Sequence, residues 1–502
     1  MSTKDTSVSR TYNMPVPAEM SLWQPDMQGA SLEDETIKYT PIRFEQNSNY
    51  SDGTVDFEAF STDRSAYYDL KNAAIEVDFQ LQQADGSLVE LDQQTALVSN
   101  GWALFESIQL QLGGRVVQDL HHGHPVHVSH LQNLTSKSRE WVDTVGHHSH
   151  MYVDQVSDDG IGLSGFVGPH DALLTAPITQ VQPVNSFYHE VQSDKVAGGG
   201  GDYVLTRTLK NPKFDPSFKD KVDRTVLHGA RNQYQKIFLK LSDVCPLLES
   251  FDKVVQGTTL KVNCQKRSRA TGMLFGALAT AKVEIKGFAL WIPVLQPTLS
   301  AVSRFQQSIA ESPRVELAYR DIHMHGEQVS NPGVAGTKRI RLSSVSNPQR
   351  VVVAFRDVRR DTLVELNTLE YDLLGPTGSV GINRISLKAN GVSVPAIDYL
   401  PKEDSARILH DLYRIYGKQD DPSDSCIVTT ESWLKGPHRI FSFDLDSSDA
   451  QAAFESSSSV NLEVVFDTDK IMFPYEVIAM TESKAKCHLD YSSGVTKMLT
   501  VR

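Results

Sequence analysis

Cysteine is scarce in this chain: there are four in 502 residues, Cys245, Cys264, Cys426 and Cys487, none in a CxxC or metal-finger spacing. That excludes a disulfide-stapled scaffold and a zinc ribbon. The apolar, strand-like surroundings of all four predict reduced core thiols and folding in a cytosolic or nuclear compartment. Long hydrophobic runs are missing too. The best, Met273 to Ala279 and Phe288 to Leu295, are strand-length, far short of the ~18 residues a membrane helix needs. The chain is therefore expected to be soluble, or to become insoluble only by assembling. The first residues, MSTKDTSVSRTYNM, carry no apolar h-region and read as a polar arm, not a secretory signal. Positive charge is short: a formal net charge of -13 argues against a grip on nucleic acid, which needs clustered Lys and Arg. No direct sequence-specific nucleic-acid binding is expected.

Catalytic motifs are absent as well. No GxGxxG or GxxxxGK(S/T) offers a phosphate cradle. In Gly162-Leu163-Ser164-Gly165-Phe166, Phe166 stands where a nucleophile elbow requires its second glycine. His148-Ser149-His150 and His323-Met324-His325 fit the His-x-His of a cupin, but Val142 and Leu317 occupy the upstream place where that pattern wants glycine. The sequence thus assigns no catalytic, cofactor-binding or metal residue. An acid and base pair drawn from the 62 carboxylates, as in a β-sandwich glycosidase, is the alternative that sequence leaves open.

What is present is an internal repeat. FESIQLQLGGRVV, Phe105 to Val117, returns as INRISLKANGVSV, Ile382 to Val394. Both carry Ile-x-Leu-x-x-x-Gly-x-x-Val, and both read as β-hairpins in which Gly113-Gly114 and Asn390-Gly391 supply the positive φ of a tight turn. A short helix follows each: one after Pro125 with Val126, His130 and Leu134, one after Pro401 with Ile408, Leu409, Leu412, Ile415 and Tyr416, ended by Gly417. One supersecondary unit used twice, in a chain longer than the ~250 to 300 residues of a single core, predicts two domains.

Strands are predicted at Ile37 to Phe44, Ala73 to Leu81, Gln235 to Leu241, Thr259 to Gln265 and Lys282 to Val294, then at Val351 to Phe355, Ile440 to Leu445, Val460 to Phe466 and Tyr475 to Met480. Residues 145 to 230, with Gly198 to Gly201, read as an extended surface loop. Leu299, Val302, Phe305 and Ile309 repeat at helical period, a connector in preference to a partner-binding helix. Short strands with turn punctuation describe two antiparallel sandwiches, and Greek-key closure into a jelly roll removes exposed edges. The division is residues 1–32 polar arm, 33–297 first jelly roll with its insertion, 298–313 connector helix, 314–491 second jelly roll and 492–502 tail.

Half of the sixteen histidines fall between 121 and 150: His121, His122, His124, His127, His130, His147, His148 and His150. The spacing of His124, His127 and His130 places them near one side of a helix, which admits a metal site or a contact between subunits that weakens as several imidazoles charge near pH 6 to 6.5. No Cys, Asp or Glu completes a ligand set and Pro125 limits the helix, so solvated loop histidines are the preferred reading.

The ordered series of blocks resembles a known family. Tyr68-Asp69-Leu70 with Ile75 to Gly86, Leu104-Phe105 through Val117, Lys236 to Lys266, Phe288 to Ser300, Ile385 to Pro395 with the helix Ser405 to Gly417, and Phe441 to Leu445 resemble, in order over most of residues 36 to 491, viral major capsid proteins of the double jelly-roll type. They are most similar to those of Polintons, adintoviruses and virophages, within the wider group that includes adenovirus hexon. Gly113-Gly114 replaces the family's more usual Asn-Gly, and the histidine-rich segment replaces tyrosine and other bulky residues. The resemblance implies a homotrimer whose six barrels form a pseudo-hexagonal capsomer of an icosahedral shell, made in host cytoplasm or nucleus and located in the virion. The implied partners are neighbouring capsomers, penton and minor capsid proteins; an internal membrane is left open. The alternative is a cellular carbohydrate-binding or glycoside-hydrolase-like β-sandwich protein.

Overall fold

The computed structural model describes residues 38–45, 53–60, 67–87, 95–98, 100–151, 155–156, 187–192, 204–210, 235–251, 255–268, 272–276, 281–296, 299–311, 313–329, 333–358, 369, 371, 381–419, 426–434, 438–446, 459–471, 473–491 and 497–501. The polar arm, the Ser164 motif and Gly198 to Gly201 lie outside them.

Eight longer strands frame the first barrel among the described residues: β1 (Lys38–Glu45), β2 (Thr54–Phe60), β3 (Ala74–Gln82), β4 (Phe105–Leu112), β5 (Arg115–Leu120), β6 (Gln235–Lys240), β7 (Thr259–Lys266) and β8 (Lys282–Gln296), with the short strands Tyr67–Tyr68 and Val255–Gln256 added beside β8. Helix α1 (His124–Ser136) follows β5, and α2 (Leu299–Glu311) leaves β8. Eight more strands build the second half: β9 (Arg314–Val329), β10 (Gly336–Arg341), β11 (Pro348–Asp357), β12 (Ile382–Ala389), β13 (Val392–Tyr399), β14 (Ile440–Asp444), β15 (Leu462–Thr468) and β16 (Tyr475–Asp490), with α3 (Ser405–Ile415) after β13.

The pairing is the same twice. β1 pairs with β8, β2 with β7, β3 with β6 and β4 with β5, all antiparallel. The second half repeats this as β9 with β16, β10 with β15, β11 with β14 and β12 with β13. Each half is thus one long hairpin wrapped on itself. The wrapping gives sheets of order β6-β3-β8-β1 and β2-β7-β4-β5, then β14-β11-β16-β9 and β10-β15-β12-β13. This is the jelly roll, twice. In each half the two sheets meet face to face: Phe105 of β4 lies 5.7 Å from Phe288 of β8, and Phe355 of β11 lies 5.0 Å edge-on to Phe466 of β15. Fully buried Trp102 and Trp433 each contribute the largest single payload their cores can hold, upwards of ~2 kcal/mol.

The repeated hairpins sit at equivalent places. Gly113, Gly114, Asn390 and Gly391 all have positive φ (57°, 83°, 49° and 90°), the pair of left-handed residues a tight two-residue turn requires. Three strands escaped sequence reading. β2 carries a plain alternation, with Val55, Phe57 and Ala59 buried. β9 and β10 are edge strands with few buried positions, so their apolar period is diluted. β16 was expected to end at Met480 yet runs on to Asp490, because β9 pairs with it along all sixteen residues. Within the stretch read as a surface loop, Gln155–Val156, Phe187–Gln192 and Val204–Lys210 form a three-stranded antiparallel sheet. Lys497–Val501, in the stretch read as a tail, pairs with the end of β16 beyond the reach of β11.

Candidate functional site

Side chains of both halves meet along a join that fixes one barrel against the other. α1 lies there. Gly123, at φ 73°, turns the chain into it, and Pro125 sits in the first turn, where no intrahelical N–H is needed. Pro125 therefore starts the helix and does not shorten it. An added Cβ on Gly123 would strike the Arg267 guanidinium, which is held by Glu106 at 2.9 Å. Ten of the thirteen helix residues are buried, on every side. Its counterpart α3 buries only Ile408, Leu409 and Leu412, one face. The difference is that α1 has the second barrel as a lid.

Across that lid the contacts are polar and specific. His127 Nδ1 shares a hydrogen bond of 2.8 Å with the Tyr371 hydroxyl. The His130 ring lies 5.7 Å from the Tyr371 ring and 6.0 Å from that of His438. The Cys426 thiol donates to the Thr135 carbonyl at 3.0 Å, and the Gln118 amide donates to the Ile322 carbonyl at 3.4 Å. Arg320 of β9 bridges back to Glu249 of the first half at 2.7 Å. α2 wedges the other side: Phe305 meets Tyr67 of the first half at 5.3 Å and Tyr491 of the second at 6.3 Å.

The structure thus sorts the histidines. His124, His127 and His130 do share one side of a helix, but that side faces the second barrel, so the solvated reading fails for them. It holds for His121, His122 and His148, which are exposed, and fails for His150, buried edge-on to Phe79 at 6.0 Å. The His147 side chain lies outside the described residues. Burial holds His127 and His130 well below the ordinary histidine range, with Arg356 adding to the effect at His127 and His438 at His130. His124 is pushed down to about 4 by burial, then by His122 and Arg356. Among the described residues, no three of His, Cys, Asp or Glu gather to hold a metal. His323 Nε2 lies 3.3 Å from Asp321 and His325 Nε2 lies 3.6 Å from Glu327. The four cysteines are buried and unbridged. Burial pushes the Cys245 thiol up to about 12 and that of Cys487 up to about 11, so none is a ready nucleophile.

A cleft of about 210 Å³ opens beside α1, lined by Gln132, Lys137, Trp141, Phe238, Asp243 and Glu249 among others. Burial raises the Asp243 carboxyl to about 6. A glycosidase would need a second working carboxylate there, and Glu249 is committed to Arg320. Sequence reading missed Tyr371, His438, Arg356 and Glu249. Tyr371 and His438 stand in stretches with no periodic signal, while Arg356 and Glu249 are single charges at the ends of apolar runs, and only the docking of two barrels gives them a role.

No family model matches the sequence, and no curated protein matches it. Solved structures do. A chain of the Sputnik virophage, determined by cryo-EM, is 11% identical over 92% of this chain and 88% of that one, with a TM-score of 0.56. The Faustovirus major capsid protein is 10% identical over 92% of each chain, with a TM-score of 0.50. By its own strand order and by these likenesses, the chain is a double jelly roll with the fold of the Faustovirus major capsid protein.

Proposed function

We propose that this chain is a major capsid protein, a building block of virions that acts through geometry and not as an enzyme. The observation that carries the reading is the duplication itself: two jelly rolls of identical strand order, joined by α2 and sealed along α1. Three such chains around a threefold axis supply six similar barrels, a pseudo-hexagonal tile for an icosahedral shell. In this reading the units are residues 1–32, 33–297, 298–313, 314–491 and 492–502, and the partners are further copies with penton and minor capsid proteins.

Two features support it. Equivalent edge strands leave apolar side chains in solvent, Val116 on β5 and Val392 and Ile397 on β13, the last 72% exposed. Obligate interfaces, which bury ~2,000 to 5,000 Å², use such surface. Pro395 on β13 removes a backbone donor from that edge, which discourages indiscriminate strand pairing in a protein made in many copies. Light scattering on the purified protein tests the reading: a stable trimer of about three times 55.8 kDa and hexagonal tiles or shells in negative stain are expected. A monomer without tiles under assembly conditions would overturn it.

A further inference from the structure

Two buried imidazoles stand at the join between the barrels. His127 is 4% exposed and His130 2%, and neither nitrogen of His130 has a hydrogen-bond partner among the described residues. His127 has one partner, the Tyr371 hydroxyl, which can donate to it while it is neutral. The basic groups around them resist a proton. From the second barrel come Arg356 of β11 and, beside His124, His325 of β9; from the first come Arg267 after β7 and His121, His122 and His124. His438 faces His130. The neighbouring carboxylates are already engaged: Glu476 by Arg356 at 2.6 Å and Glu106 by Arg267 at 2.9 Å. Gly326 of β9 leaves the approach tight, since a Cβ there would lie 3.3 Å from His124 Nε2 and 2.7 Å from Glu476 Oε1.

We infer that this join is an acid-operated latch, closed while the imidazoles of α1 are neutral, whose barrels part, each still folded, when those imidazoles take up protons. The direction follows from linkage. A histidine kept neutral in the closed form binds its proton only on opening, so opening consumes protons and acid drives it once pH falls below the ~6.5 of free histidine; above that pH nothing is gained. His127 and His130 together bring the opening constant towards a 100-fold rise per pH unit between about pH 6 and 5, and His124 adds up to tenfold more. In a shell-building protein this is a route to disassembly in an acidified compartment. That consequence rests on the proposed function; the latch itself does not.

Cysteine placement provides the readout. Cys426 is buried at the join, donating to Thr135, while Cys264 is buried in β7 between β2 and β4 of its own barrel. The full-length protein is pulsed with 4,4′-dithiodipyridine from pH 7.5 to 5, and the labelled cysteines are identified by mass spectrometry. Cys426 is expected to become reactive below pH 6 while Cys264 stays protected, and the His127→Gln/His130→Phe variant is expected to keep Cys426 protected throughout. Cys426 remaining protected to pH 5, Cys264 labelling together with it, or the variant opening as steeply as the parent would each overturn the latch. If the double variant already labels at pH 7.5, His130→Met alone decides: a slope cut by about tenfold per pH unit supports the latch, and an unchanged slope refutes it. Because no step requires assembly, a failed latch and a failed capsid reading give separate results.

Discussion

Glu482 is the most consequential charge in the second barrel. Its side chain is 1% exposed, yet it sits on β16 between Arg350 of β11 at 3.1 Å and Arg320 of β9 at 3.5 Å, with the Tyr416 hydroxyl donating to it at 3.4 Å. Replacing it by glutamine keeps the volume and removes the charge. Two guanidinium groups then face each other across the sheet with their counter-ion gone, and breaking a buried pair this way costs ~3 to 5 kcal/mol. Arg320 is 36% exposed and retains Glu249, whereas Arg350 is 21% exposed. The lower end, ~3 kcal/mol, is therefore expected. For a folding unit of the second barrel's size this lowers the melting temperature by about 6 to 12 °C. Scanning calorimetry of the full-length Glu482→Gln protein measures it, and a cycle with Arg350→Met should return a coupling of ~1.5 kcal/mol or more. Replacing all three charges by apolar residues should recover much of the loss. A Glu482→Gln protein within 1 kcal/mol of the parent would mean that water reaches the cluster and that the ion network is as weak as a surface one.

Three further outcomes are expected. Gly101→Ala puts a methyl 2.7 Å from Ile237 Cδ1 and Leu239 Cδ2 and 2.9 Å from the Ser149 carbonyl, so it should destabilise the first barrel by ~1 to 3 kcal/mol; an unchanged melt contradicts the packing. Tyr371→Phe removes the partner of His127 Nδ1 and should cost ~1 to 2 kcal/mol, seen as faster hydrogen exchange in α1 with the hairpin of β12 and β13 unaffected. Deleting residues 1–32 should leave trimers intact by light scattering but impair lattice formation, and normal particles from the truncated protein would refute a role for the arm.

Much of the fold was legible because its signals are local. A period of two marks β3, β4, β6 and β7; glycine at positive φ marks both hairpins; a period of 3.6 marks α2 and α3. Copying a hairpin copies these signals, so the internal repeat pointed to two like domains before any coordinate. The edge strands β9 and β10 were illegible because an exposed edge needs little apolar residue. The second half of β16 was illegible for the opposite reason. Thr481, Glu482 and Ser483 are polar yet buried, and the burial of Glu482 is tolerable only because Arg320 and Arg350 approach from strands more than a hundred residues away in sequence.

The amino-acid sequence by itself determined the strand-rich, duplicated architecture, since alternation and turn chemistry act within a few residues of chain. Only the tertiary structure decided the meaning of the histidines. Whether an imidazole is solvated, metal-bound or locked neutral depends on what is packed over it, and here that is a second barrel contributing Tyr371 and His438, groups that lie next to α1 only after both hairpins have wrapped and docked.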